Sequence, residues 1–403
     1  MPPISLEDIL RAADLLNGKI IRTPLVYSPT FSRMSGAEVY LKLENLQKGG
    51  SFKLRGATYK IQSRREDIGS KGVIAASAGN HAQGVALAAR AAGVPATIVM
   101  PEWASIGKQE ATRGYGAEVI LKGKSLEESI LHAQEMARDG WMFIHPYNDL
   151  DIITGQATIG LEILQDLQSP DMIFVPIGGG GLASGIATAA KAICPETRII
   201  GVQAANCPSA YQARLEGAVT LVEAQKSIAD GIAVREIGEI NFGIIEEMVD
   251  TIVLVEEELI VGAVSALLER KKVLSEGAGA VTLAALLGSK VNIPEGCAVV
   301  LVISGGNLDS PLLDRIIRHG LLLNGRVMHF SAWIEDMPGS LTRLLGHVAR
   351  MEGNVLQVHH TRWEKDMPIN MTRVDIEVET RGFGHIEEIE GELRKAGFRI
   401  NVT

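Results

Sequence analysis

Lys53 lies in the run Leu43-Glu44-Asn45-Leu46-Gln47-Lys48-Gly49-Gly50-Ser51-Phe52-Lys53-Leu54-Arg55-Gly56-Ala57, and its type and neighbours suit covalent chemistry. An amine attacks a carbonyl only when neutral, so a Schiff-base lysine needs an apolar, partly desolvated site or a nearby positive charge to lower its pKa. Phe52 and Leu54 supply apolar flanks and Arg55 a cationic neighbour. Most lysines are solvated surface residues instead. Lys53 is therefore judged by what accompanies it.

Three further segments offer chemistry. Gly178-Gly179-Gly180-Gly181-Leu182 follows an apolar run at 172–177 and opens an alanine-rich stretch at 183–192. Glycines let several backbone N–H groups point at one centre, and a helix N-terminus adds potential favourable to an anion, so this is a phosphate cradle. Gly178-x-Gly180-x-x-Ala183 also fits the dinucleotide fingerprint. That site needs an acid about 20 residues on to hold a ribose, and the chain there reads Val202-Gln203-Ala204-Ala205. No Gly-Lys-Ser/Thr follows the glycines either, which leaves a small phosphorylated cofactor. Ser77-Ala78-Gly79-Asn80-His81 joins a strand to a helix and suits a second anion such as a substrate carboxylate, with Asn80 able to donate to an oxygen of the cofactor ring. Alone, this segment reads equally well as a plain Ser or Asn cap, and His81 as a helix-start residue. Ser304, in Ser304-Gly305-Gly306-Asn307, ends an apolar strand, where open α/β sheets place ligands.

The elements that must position these segments follow from the hydrophobic pattern. Short β-branched runs at 72–76, 96–100, 117–121, 172–177, 199–203 and 297–303 alternate with amphipathic stretches such as 81–92. This is the pattern of parallel strands joined by helices, and strands apolar throughout are buried on both faces. The texture changes near residue 326. Strand 327–334, a turn at Asp336-Met337-Pro338-Gly339, helix 340–350, strand 354–361, strand 373–379, helix 386–396 and a short last strand make a βαββαβ unit, with Asn324-Gly325-Arg326 as the joint.

The chain has 403 residues, 46% of them hydrophobic, and can bury a core large enough for two or three domains. A net charge of −9 with no Lys/Arg cluster argues against a nucleic-acid partner. Cys194, Cys207 and Cys297 form no C-x-x-C pair, which speaks against a disulfide framework or zinc site and for a reducing cytoplasm. No secretory signal is legible at the start, and no run of about twenty apolar residues marks a membrane span.

Taken in order, the segments at 51–53, 77–81, 178–182 and 304–307 resemble the serine/threonine dehydratases, pyridoxal-phosphate enzymes of the tryptophan-synthase-β fold. The likeness runs from about Pro24 to about Leu323 and includes Arg22-Thr23-Pro24-Leu25 and the segment 111–118. It implies a catalytic domain at 1–323, made of two open α/β subdomains with mostly parallel sheets, the smaller inserted at roughly 45–150. Residues 327–403 resemble a ferredoxin-like ACT regulatory domain. By the resemblance Lys53 holds the pyridoxal phosphate with Phe52 beside its ring. Gly178, Gly179, Gly180, Gly181 and Leu182 bind the phosphate, Asn80 the ring hydroxyl, Ser304 the pyridine nitrogen, and Ser77, Ala78, Gly79, Asn80 and His81 the substrate carboxylate.

The implied reaction is β-elimination and deamination of L-threonine to 2-oxobutanoate and ammonia, with L-serine as secondary substrate. Serine racemases carry a serine, the second acid/base, where this chain has Ala78. Metal-dependent members carry carboxylates where it reads Ala204-Ala205-Asn206-Cys207, so no metal is expected. Glu276 matches a family position near the cofactor and reads equally as a helix-cap acid. An amino-acid effector, isoleucine or valine, at an interface between two ACT-like domains and a homo-oligomer are further implications. Alternatives are another β-eliminase of this fold, acting on hydroxyaspartate or diaminopropionate, and an amino-acid sensor with an inactive catalytic half. Biosynthetic (isoleucine) and degradative roles stay open.

Overall fold

The apolar runs lie side by side in sheets. The computed structural model describes residues 3–362 and 368–402. Its first ten strands are β1 (Leu25–Tyr27), β2 (Glu38–Leu43), β3 (Val73–Ala76), β4 (Ala96–Met100), β5 (Glu118–Leu121), β6 (Met142–Phe143), β7 (Met172–Pro176), β8 (Arg198–Ala204), β9 (Thr251–Val255) and β10 (Ala298–Ile303). They form a six-stranded sheet, β1-β2-β10-β7-β8-β9, and a four-stranded one, β5-β4-β3-β6. All pairings are parallel except that of β1 with β2. Every residue of β3, β4 and β7 is buried, as continuous apolar strands between two helical layers must be.

The six strands anticipated from the pattern are present, with ends moved by a residue or so. β1, β2, β6 and β9 were not anticipated; in β2, one residue before its end, stands Lys42, which reads as a surface residue. Its amine is instead fully buried, donating to Glu162 Oε2 at 2.5 Å and to the Thr23 carbonyl at 2.7 Å. Beside it the buried Arg55 guanidinium forks onto two carboxylates, 2.7 Å from Glu44 Oε1 and 2.6 Å from Glu162 Oε1, and Thr23 Oγ1 donates to Glu44. Two cations and two anions thus balance in the interior. This cluster ties the helix Lys53–Ser63 to β2 and to the helix Leu150–Asp166.

Helix Leu150–Asp166, capped by Asp149 accepting from Asp151 N and Ile152 N, is buried without break from Ile152 to Leu164. Small residues let its neighbours approach. A Cβ on Gly155 would lie 2.6 Å from Gly56 Cα, and one on Gly185 2.7 Å from Ala157 N. The glycines at 56 and 155 therefore set how deeply the Lys53 helix sits.

The chain divides into two compact units, Met1–Asp309 and Ser310–Thr403. In the second, β11 (Val327–Glu335), β12 (Asn354–Thr361), β13 (Met371–Glu379) and β14 (Arg399–Val402) form an antiparallel sheet ordered β12-β13-β11-β14. Helices Ser340–Arg350 and Phe383–Lys395 cover one face through Leu344, Val348, Ile389 and Leu393, all buried against Phe330 and Ile376. The order is the expected βαββαβ, though the second helix starts three residues earlier than the pattern suggests. Helix Ser310–Leu323 groups with this second unit, whereas the sequence pattern places the joint at 324–326. Its amphipathic periodicity carries no signal of which unit it packs on. Among the described residues no helix is long and apolar enough to cross a membrane.

Candidate active site

The carboxyl ends of β3, β7 and β10 open onto one cleft, and every site residue anticipated from the sequence lines it: Phe52, Lys53, Ser77, Ala78, Gly79, Asn80, His81, Gly178, Gly179, Gly180, Gly181, Leu182 and Ser304. This is where an open parallel sheet leaves room for a ligand.

Lys53 is the first residue of its helix. Its Nζ donates to the Pro146 carbonyl at 2.8 Å and stands 5.2 Å from the centre of the Phe52 ring. Burial lowers its pKa to about 8, against the opposing pull of Glu276. The backbone of the strand end grips the approach to it, because Phe52 N donates to the Ser304 carbonyl at 3.1 Å and Ser51 bridges to Gly305. The segments carrying Lys53 and Ser304 are thus bridged backbone to backbone. Ser304 is buried, and its hydroxyl lies 3.4 Å from the Ala278 carbonyl.

Two histidines near the lysine stay neutral. Burial, reinforced by the positive charge of Lys53, drops His81 to about 3, and its Nε2 pairs with the Ile144 carbonyl at 3.0 Å. Burial likewise lowers His145 to about 4, and its Nδ1 accepts from Tyr147 N and Asn148 N. His81 lines the cleft with its ring nitrogen committed to the backbone.

The glycine loop is shaped on every side. A Cβ on Gly179 would sit 2.3 Å from the Tyr147 ring, one on Gly180 2.6 Å from Asn241 Cβ, and one on Gly178 or Gly181 3.0 Å from the backbone of Ile232 or Tyr147. Gly180 has φ +99°, which only glycine adopts easily. Asn241 Nδ2 donates to the carbonyls of Gly179 (2.8 Å) and Tyr147 (3.1 Å), and helix Gly181–Ile193 begins at once. Carbonyls are held and amides stay available at a helix N-terminus, the requirement for an anion cradle.

In the turn after β3, Ser77 Oγ accepts from Gly79 N at 3.0 Å. Asn80 starts the helix Asn80–Ala92, and its Nδ2 donates to Glu276 Oε1 at 2.7 Å. Glu276 occupies the N-cap position of helix Gly277–Leu287, yet its side chain caps nothing, so the cap reading is replaced by a contact with Asn80. Tyr147, Asn241 and Asn307 had drawn no assignment from the sequence. Asn307 belongs to the Ser304-Gly305-Gly306-Asn307 segment, but nothing local marks it as the partner of a residue 227 positions away. Among the described residues no group of three or more His, Cys, Asp or Glu is placed to hold a metal ion.

The profile of the family described as pyridoxal-phosphate dependent enzymes matches residues 16–305. The chain belongs to this family. It is 47% identical over 99% of its length to the whole of an L-threonine ammonia-lyase of Thermotoga maritima. To an L-threonine ammonia-lyase of Geobacter sulfurreducens it is 46% identical over 98% of each chain. The fold resembles the processed form of threonine deaminase isoform 2 from Solanum lycopersicum, with TM-score 0.73, 37% identity, and coverage of 78% of this chain and 92% of that one.

The residues present fit the cofactor of the family. An enclosed lysine of lowered pKa stands in the same cleft as a backbone cradle for a phosphate, and the cleft carries hydroxyl and carboxamide groups for the ring. Two outcomes are expected. In Gly179→Ala the new methyl overlaps the Tyr147 ring, and overpacking of this kind costs ~1–3 kcal/mol. The variant should hold cofactor roughly tenfold more weakly, measured as bound cofactor per chain after dialysis, and full retention would contradict the packing argument. In cofactor-free protein Lys53 gains its neutral, reactive form as pH rises through about 8 rather than 10.5. Acylation of Lys53, followed by peptide mass spectrometry, should reach half its limiting rate near pH 8, and a midpoint near 10.5 would contradict its burial.

Proposed function

We propose that this chain is a pyridoxal-phosphate-dependent threonine ammonia-lyase that converts L-threonine to 2-oxobutanoate and ammonia, with L-serine to pyruvate as secondary activity. The observation that carries the reading is the convergence of Lys53 Nζ, the glycine cradle and the 77–81 turn on one cleft, in a chain 47% identical over 99% of its length to a named L-threonine ammonia-lyase.

Bound pyridoxal phosphate supplies a carbonyl for covalent capture of the substrate amine and withdraws electrons from its α-carbon. The chain does the rest. Lys53 would hold the cofactor at rest, and backbone amides of 178–182 would hold its phosphate. The Ser304 hydroxyl would serve the ring nitrogen, Asn80 the ring hydroxyl, and Phe52 would flank the ring. The turn at 77–81 receives the substrate carboxylate and so fixes which substrate bond faces Lys53. Nζ, unprotonated in a useful fraction because its pKa is near 8, takes the proton from Cα. The β-hydroxyl leaves as water, the proton it takes up balancing the one lost from Cα, and hydrolysis of the released imine consumes one water and frees ammonia. Ala78 lines the cleft with no proton to exchange, which supports one-base elimination over racemisation.

Assay of L-threonine and L-serine for 2-oxo acid and ammonia tests this. Equimolar products with threonine preferred are expected; turnover only of a 3-amino or 3-hydroxy-dicarboxylic substrate, or none at all, would overturn it.

We infer further that residues 1–323 form the catalytic domain, with a smaller subdomain at roughly 45–150, and that 327–403 are an ACT regulatory domain. The βαββαβ order of the second unit supports the latter. An amino acid such as isoleucine or valine binding there would change activity. Deletion of 327–403 should abolish any response to these amino acids while turnover remains, and a persisting response would sink the assignment. A homo-oligomer and a cytoplasmic home belong to the same reading; the three cysteines, all free thiols, suit a reducing compartment.

A further inference from the structure

We propose that Glu276 and Asn307 are positioning residues that lock the Asn80 carboxamide in one orientation, so that its amide nitrogen is held as a donor for the ring hydroxyl of the cofactor. The proposal rests on the assignment of Asn80 under "Proposed function" and adds what makes that contact possible.

A carboxamide has a donor end and an acceptor end, and turning it by half a circle exchanges them. The direction here is dictated from outside. The Gly49 carbonyl can only accept, and Asn307 Nδ2 donates to it at 2.7 Å. The same Nδ2 donates to Asn80 Oδ1 at 2.8 Å, with a longer approach to Gln83 Oε1 at 3.4 Å. Asn80 therefore turns its oxygen toward Asn307 and its nitrogen the other way. There Glu276 Oε1 accepts from it at 2.7 Å. That uses one of the two hydrogens on Nδ2, and the second is left for a ligand in the cleft that Asn80, Glu276 and Asn307 all line.

The backbone around this relay is cut back to make room. A Cβ on Gly50, whose φ is +75°, would lie 2.3 Å from Asn307 Oδ1. One on Gly305 would lie 2.3 Å from Glu276 Oε1 and 3.2 Å from Asn80 Nδ2. The relay joins the four segments that surround the lysine: the 49–50 turn before it, the helix start at Asn80, the helix start at Glu276, and the residues after Ser304. Glu276 is 4% exposed, and burial, with the charge of Asp230 adding to it, pushes its carboxyl up to about 8. Mostly protonated at neutral pH, it accepts from Asn80 without setting a full negative charge beside the ring.

The test is a titration of cofactor-free protein with pyridoxal phosphate, following the visible absorption of the bound cofactor, which reports affinity and electronic environment without turnover. N80A, E276A and N307A should each raise the apparent dissociation constant about tenfold and shift the absorption band, the size expected when a buried partner is lost. N80A/E276A should be no weaker than N80A within twofold, because Glu276 acts through Asn80. E276Q keeps an acceptor opposite Asn80 and should return to within about threefold of the parent. Additive losses in N80A/E276A, or an E276A indistinguishable from the parent, would overturn the positioning role while leaving the assignment of Asn80 in place. An unchanged N80A would overturn both. Should E276A fail to fold, N307A and N80A/N307A form the same cycle with the same expected non-additivity.

Discussion

Replacing Lys53 by alanine should lower turnover of threonine by ~10⁴-fold or more, since under the proposed function one residue serves both to attach the cofactor and as the general base, and a positioned base alone contributes up to ~10⁴-fold. The loss should fall on kcat, because the glycine loop and the 77–81 turn, proposed to bind phosphate and carboxylate, are left unchanged. Added primary amines of small size should restore part of the rate, as they can take up the proton in the space Nζ leaves. Folding should survive, for among the described residues the Lys53 amine makes one hydrogen bond, to the Pro146 carbonyl, and its charged form is disfavoured by burial. Steady-state kinetics of K53A with and without added amine, beside a melting curve, check this. Retention of more than a hundredth of the parental rate without an added amine would mean that another base takes the Cα proton.

The second large effect lies outside the cleft. Arg55 is fully buried and satisfies Glu44 and Glu162, while Lys42 completes the balance. Arg55→Leu leaves an excess of negative charge in the core with no solvent to relieve it, and removing one partner of a buried pair costs ~3–5 kcal/mol. Domains as a rule are stable by only ~5–15 kcal/mol, so the variant should unfold at far lower urea concentration or accumulate as insoluble chain. Arg55→Lys keeps the charge, loses the planar fork that meets two carboxylates, and should fall between. Chemical unfolding followed by circular dichroism measures the order. A midpoint for R55L equal to that of the parent would show that the network adds nothing. Arg55 lies two residues after Lys53 on the same helix, so soluble R55L should also hold its cofactor less well.

What the sequence made legible is local. The phosphate cradle, the 77–81 turn and Ser304 each sit where a buried apolar strand ends, and strand ends can be read from a few consecutive residues. Lys53 was legible through its company, and the C-terminal βαββαβ order through alternation and turn residues. What escaped depends on partners distant in sequence. Lys42 interrupts an apolar strand and looks like a surface residue until Glu162, 120 positions away, meets it. Tyr147 and Asn241 shape the glycine loop from segments with no motif of their own. Glu276 has the sequence of a helix cap and becomes a partner of Asn80 across 196 residues. Helix Ser310–Leu323 carries no motif and was not anticipated, and its grouping with the second unit is a tertiary fact.

Which lysine carries the cofactor can be read by chemical reduction, and the proposed function assigns it to Lys53. Borohydride treatment of the cofactor-loaded protein fixes any carbon–nitrogen double bond between a lysine and pyridoxal phosphate, and peptide mass spectrometry then locates the modified residue. The expected result is one phosphopyridoxyl group per chain, on the peptide containing Lys53. Modification centred on another lysine of the same unit, such as Lys42 or Lys108, or none on the Lys53 peptide in fully loaded protein, would rule Lys53 out as the cofactor-bearing residue.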